Sequence, residues 1–190
     1  GSAGDVELVR EGMEMMGSSC VSLFPDVLLG LGVNRFPEIE PAIARAHARL
    51  MTESFFAADE RIRGMLYLPW SDPDACLEIV EEFGDRPGVA GFMITSVRYE
   101  ATASRPYMKV YRALDERGAT LGFHSAFDYY DRSTAMFNNF LSVHAIGFPY
   151  YNIVHSTNLV MNGIPERFPG IRFFFIEGGL SWVPFVMQRL

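Results

Sequence analysis

The sequence predicts an α/β domain built on a parallel sheet, and three observations carry that expectation. Five apolar segments start at about residues 19, 62, 88, 119 and 171, and they are near-continuous rather than alternating. Strands buried on both faces read in that way. A helical stretch separates each apolar segment from the next, and helical crossovers force neighbouring strands to run parallel. Finally, proline, glycine and capping residues stand at the joins, where helices start and stop.

The elements follow in order. In "DVELVREGMEMM", Val6, Val9, Met13 and Met16 share one helical face, and Gly17 is a helix stop. "SSCVSLF" reads as a short strand closing at Phe24-Pro25, and a glycine-bearing loop then leads to Pro41. Proline suits the first helical turn, and Ile43, Ala46, Leu50 and Ala57 form the expected inward stripe. "IRGMLYLP" is the second strand. Its helix opens at Ser71 or Asp72 as cap with Pro73 in the first turn, and turns Leu77, Val80 and Phe83 or Gly84 inward. "GVAGFMITS" is the third strand, followed by a helix with Tyr107, Val110 or Tyr111, and Leu114 inward and Gly118 at its stop. "ATLGFHSA" is the fourth strand. "PYYNIVHSTNLVMNG" reads as helix ending at Gly163, and "GIRFFFIEGG" is the fifth strand.

Composition narrows the classes of function. A chain of 190 residues, 49% hydrophobic and 21% charged, is sized and composed as one globular domain or part of one. The formal net charge of −7 argues against a general nucleic-acid binder, which needs a basic face. No apolar run approaches the roughly 18 to 20 residues of a membrane span, so a cytosolic protein is the default expectation. Cys20 and Cys76 both sit in apolar patterns and read as buried free thiols.

Motifs for common chemistries are absent. The sequence has no G-x-G-x-x-G and no G-x-x-x-x-G-K, and "LGLG" at 29–32 is too short to cradle a phosphate. It also lacks H-x-H, H-E-x-x-H, C-x-x-C and G-x-S-x-G. Two closures of the sheet stay open at this point, a doubly wound open sheet and a βα barrel. In both, ligands bind at the carboxyl ends of the strands. Phe24, Trp70, Thr95, His124 and Glu177 stand at those ends. The fourth and fifth strands are consecutive, so they should lie side by side, roughly 4.8 Å apart. His124 and Glu177 could then reach one ion or one substrate atom. The competing readings are an ion pair for Glu177 and a hydrogen-bonded core position for His124. His47 and His155 read as helix packing residues, and His144 as a residue of the segment that overhangs the site. Trp70 reads equally as pocket wall or packing.

"GIPERFPGIRFFFIEGGLSWVPFVMQRL" resembles the amidohydrolase-related family that contains aminocarboxymuconate-semialdehyde decarboxylase and related decarboxylases and hydrolases. "ATLGFHSA" resembles that family's fifth barrel strand, and "GMLYLPW" with "DPDACLEIVEEF" its third βα unit. The resemblance implies a (β/α)8 TIM barrel, here incomplete. The five strands would be its second to sixth, in a single domain over 1–190 that is cut short at both ends. It implies one divalent metal ion, zinc by preference, bound by His124. Glu177 falls where many members carry a histidine acting as acid or base, so a glutamate would take that role. Trp70, Phe127 and His144 become candidate substrate-binding wall residues. The family's His-x-His pair and its eighth-strand Asp have no counterpart here, so the chain alone is expected to be inactive and to hold at most one family metal ligand. The expected activity of the full protein is hydrolysis, or non-oxidative decarboxylation, of a small carboxylated or aromatic substrate. The alternative is a non-catalytic relative used for ligand binding or assembly. Unpaired sheet edges predict either missing segments or a homo-oligomer.

Overall fold

The computed structural model of the chain describes residues 2–95, 101–125 and 132–190. Five strands, β1 (Val21–Leu23), β2 (Ile62–Tyr67), β3 (Val89–Thr95), β4 (Thr120–His124) and β5 (Arg172–Ile176), form one sheet in the order β1-β2-β3-β4-β5. All four pairings are parallel. A doubly wound open sheet reverses its strand order at a switch point, whereas a βα barrel adds strands in sequence. The order is therefore that of a TIM barrel arc, and the open-sheet alternative falls.

The helices lie between the strands as expected: α1 (Ser2–Met16), α2 (Ile39–Leu50), α3 (Phe56–Ala58), α4 (Pro73–Phe83), α5 (Met108–Glu116), α6 (Phe140–Met161), α7 (Ile164–Arg167) and α8 (Trp182–Arg189). Asp72 caps α4 by accepting from the backbone N–H of Asp74 and Ala75, with Pro73 as the first helical residue. Arg10 and Arg61 both donate to the Asp59 carboxylate, fastening α1 to the approach of β2 and holding that carboxyl well below its usual range.

Strand alternation gives the sheet two distinct faces. On the inner face a Cβ at Gly122 would come within 3.2 Å of Met65 Cε and Ile176 Cδ1, so a glycine is what lets these side chains converge. His124 lies on the same face, two residues further along. On the outer face Phe123 stacks on Phe175 and on His155, each at 5.4 Å between ring centroids. Tyr111 stacks on Phe168, and Trp70 stacks on Tyr107. Burying side chains of this size contributes roughly 1.5–3 kcal/mol each, an upper bound.

Several expectations need correction. The inward face of α2 is Glu40, Ala44 and Ala48, not Ile43, Ala46 and Leu50, and Leu50 is exposed. A π-helical turn, Met51–Phe55, follows α2 directly. Its extra residue rotates the chain so that Phe56 packs under the sheet, where a Cβ at Gly88 would meet its ring and Cβ at 2.5–3.1 Å. In α4 the buried residues are Cys76, Ile79, Val80 and Phe83, while Leu77 is only partly buried. Met16 is exposed, and so is Cys20, because β1 is short and lies at the sheet edge. Cys76 is the buried thiol of the two and donates to the Pro69 carbonyl at 3.1 Å. The helix foreseen from Pro149 begins earlier, at Phe140, capped by Asn139, and carries Pro149 inside it. Tyr107, Val110, Tyr111 and Leu114 are buried as expected.

Candidate functional site

The carboxyl ends of β4 and β5 bring His124 and Glu177 together. His124 pairs in register with Ile176, so these two side chains share the inner face. Simple alternation would send the next residue, Glu177, to the other face. Glu177 instead adopts φ 59°, the only non-glycine residue in the left-handed region among those described. The strand ends there, and the carboxylate Oε1 lies 4.0 Å from His124 Nε2. A second carboxylate, Asp26 Oδ1, lies 3.9 Å from the same nitrogen. Asp26 follows β1 by three residues, in a 3-10 turn, Asp26–Leu28.

The imidazole is 3% exposed, and its Nδ1 lies 2.8 Å from the Ser125 carbonyl oxygen. A carbonyl can only accept, so Nδ1 carries the proton and donates it. In the neutral ring that leaves the Nε2 lone pair directed at the two carboxylates, which are largely exposed. This is the tautomer of a ring that binds a cation through Nε2, anchored by a backbone partner on its other nitrogen. The donor set of one imidazole and two carboxylates suits a divalent cation. Among the described residues, however, no group of three or more His, Cys, Asp or Glu side chains is placed to enclose one. His124 thus fits one position in a metal centre rather than a complete centre.

Buried polar groups surround the pair. Asn152, fully buried on α6, accepts from Ser125 Oγ at 3.0 Å and donates to the Ile176 carbonyl at 3.2 Å. Gly178 answers to that side chain, since a Cβ there would sit 2.1 Å from Asn152 Nδ2. Gly179 takes φ 63°. The two glycines after Glu177 thus have separate reasons, clearance for the first and backbone conformation for the second. Glu40, 1% exposed, accepts from Tyr67 Oη at 2.5 Å and from the Ser71 N–H at 3.2 Å above the end of β2.

The remaining sequence candidates are dispersed. Trp70 is 1% exposed between Tyr107 and Tyr111, which is the packing arrangement. His144 is exposed on α6, its ring against Phe140 and Phe148. Phe127 lies outside the described residues. His155 is buried against Phe123, with Nδ1 3.4 Å from Thr102 Oγ1, in the packing role foreseen for it. His47 is partly buried on α2, and burial pushes its imidazole down to about 4. Asp26, Glu40 and Asn152 were not foreseen. For Asp26 the signal was present in "FPD", two residues past the strand end at Phe24.

Residues 24–190 match the amidohydrolase family. The chain belongs to that family. Solved amidohydrolase-like folds superpose on it closely. An amidohydrolase from Mycobacterium avium subsp. paratuberculosis matches with a TM-score of 0.81 at 17% identity, over 97% of this chain and 50% of its own. The 2,6-dihydroxybenzoate decarboxylase from Rhizobium matches with a TM-score of 0.71 at 17% identity, over 93% of this chain and 57% of its own. The 5-carboxyvanillate decarboxylase from Novosphingobium aromaticivorans, solved with manganese, matches with a TM-score of 0.73 at 19% identity, over 93% and 51%. The chain therefore spans about half the length of the structures it matches. No curated protein matches it. Among the described residues no helix is long and apolar enough to cross a membrane.

Proposed function

We propose that this amidohydrolase chain contributes the metal-facing arc of a hydrolase or non-oxidative decarboxylase acting on a small carboxylated or aromatic substrate. The observation that carries this reading is the buried His124 ring, tied through Nδ1 to a backbone carbonyl, with Nε2 turned toward two carboxylates. His124 would hold a divalent ion, zinc or manganese. When bound, such an ion polarises a carboxyl or carbonyl oxygen and lowers the pKa of water. Glu177 would give or take a proton at the substrate, taking over the position where the family resemblance expects a histidine. Asp26, 3.9 Å from the same nitrogen, would add a second negative charge to offset that of a cation held there. The decarboxylase neighbours favour carboxylated phenols as the first substrates to try.

Metal analysis joined to turnover tests this. The 190-residue chain alone is expected to bind no stoichiometric metal tightly and to leave a dihydroxybenzoate unchanged. The protein carrying the rest of the barrel should release CO2 or a hydrolysis product when supplied with manganese or zinc, and His124→Ala should abolish both metal retention and turnover. Turnover unaffected by His124→Ala would overturn the assignment. A second reading, a barrel relative retained for ligand binding or assembly, is favoured by Glu177 standing in place of a histidine. Bound ligand without turnover in the metal-loaded full protein would establish it.

A further inference from the structure

We propose that Asn152 is the positioning residue of the site: its single side-chain amide joins the ends of β4 and β5 and sets the separation of His124 and Glu177. The inference rests on the proposed pairing of those two residues. The link has two arms. The Oδ1 atom accepts from the hydroxyl of Ser125, the residue after His124, and Nδ2 donates to the carbonyl of Ile176, the residue before Glu177. The single Ser125 hydroxyl proton is shared between Asn152 Oδ1 and the Phe148 carbonyl, 2.8 Å away and one turn earlier on the same helix, so both of its acceptors belong to α6. The carbonyl of Ile176 fixes which way the amide faces, because only the NH2 group can donate to it.

Both the location and the cost of burial argue for this role. Asn152 is 0% exposed, and a buried amide is expensive unless its hydrogen bonds are made. An apolar residue at this point of α6 could fill the space, but it could not grip two strand ends. The hydrogen bond to Ile176 acts immediately before the left-handed turn at Glu177, where strand alternation is broken and the carboxylate is brought round. The absence of a side chain at Gly178 keeps the Nδ2 group in reach of that carbonyl. A side chain that only filled space would show neither the paired contacts nor the clearance.

Nuclear Overhauser contacts in the 190-residue chain give a readout that does not depend on turnover. The wild-type protein should show contacts from the His124 ring protons to the Glu177 side-chain methylenes. Asn152→Asp keeps the acceptor for Ser125 but turns a carboxylate against the Ile176 carbonyl. It should reduce those contacts at least threefold and shift the Glu177 signals, while the His124 ring signals and the contact of the Met65 methyl with Gly122 on the inner face stay in place. Asn152→Ala should lose the His124–Glu177 contacts altogether, and Ser125→Ala, which removes only the β4 arm, should weaken them. If the buried variants fail to fold, Gly178→Ala tests the same link from the turn and should also weaken the contacts. Undiminished His124–Glu177 contacts in the folded variants would overturn the role of Asn152. Absence of the contacts in the wild-type protein would instead overturn the pairing itself.

Discussion

Glu177 holds the least comfortable backbone conformation at the site. A left-handed non-glycine residue costs roughly 1–2 kcal/mol, part of which a glycine would recover against its own entropic penalty. Glu177→Gly is therefore expected to raise stability by about 0.5–1 kcal/mol in urea denaturation while removing the carboxylate from His124. Such a gain, combined with lost turnover in the full protein, would mark strain retained for function. Gly178→Ala should act in the opposite sense, lowering stability by about 1–3 kcal/mol, because its Cβ has no room beside Asn152. At this scale the sequence revealed His124 and Glu177, because both stand at the ends of recognisable strands that follow one another. Asn152 and Glu40 were hidden, since which helical side chain reaches which strand end is a matter of tertiary packing. The left-handed turn at Glu177 has no sequence signal either, because in "IEGG" the two glycines, and not the glutamate, are the residues that favour positive φ.

The α2 helix shows how one polar residue can be mistaken at the level of an element. Periodicity points to Ile43, Ala46 and Leu50 as its apolar stripe, yet a carboxylate, Glu40, heads the buried face. Periodicity weighs apolar residues and so passes over a buried glutamate whose partners are Tyr67 and the Ser71 N–H. Glu40→Ala is expected to lower stability by about 2–3 kcal/mol in the same assay, since a hydrogen bond to a charged group is lost and Tyr67 Oη is left to find another acceptor. The α4 start is the contrasting case. Asp72 and Pro73 announce it in the sequence, and Asp72→Ala should cost about 1 kcal/mol through the loss of the cap. Local signals are read reliably where the chemistry is itself local.

For the molecule as a whole, the class of fold was legible because strand and crossover patterns repeat, and the repeats settled the parallel pairing. Barrel-like closure came from strand order, which periodicity does not contain. One titratable group gives a pH dependence of stability. His47 Nδ1 is buried without a hydrogen-bond partner among the described residues, and burial lowers its folded-state value to about 4 from 6.5. The unfolded chain then binds the proton more readily. The contribution is complete above pH 6.5 and is lost as pH falls toward 4, on the order of 3 kcal/mol. Thermal melts across that range should show the decline, and His47→Gln should flatten it. Among the described strands β1 and β5 each have a single neighbour, and Phe174 of β5 is 46% exposed. We propose that such a chain self-associates, so sedimentation should give a particle heavier than 21.4 kDa. The His124–Glu177 pair has a simpler topology than the sheet. His124, Ser125, Asn152, Ile176 and Glu177 all belong to one β–α–β repeat, running from β4 through α6 to β5. Recombination that exchanges whole repeats between barrels would carry this pair across as an intact cassette, whereas a crossover between positions 125 and 152 would hand the imidazole and the acid to different parents.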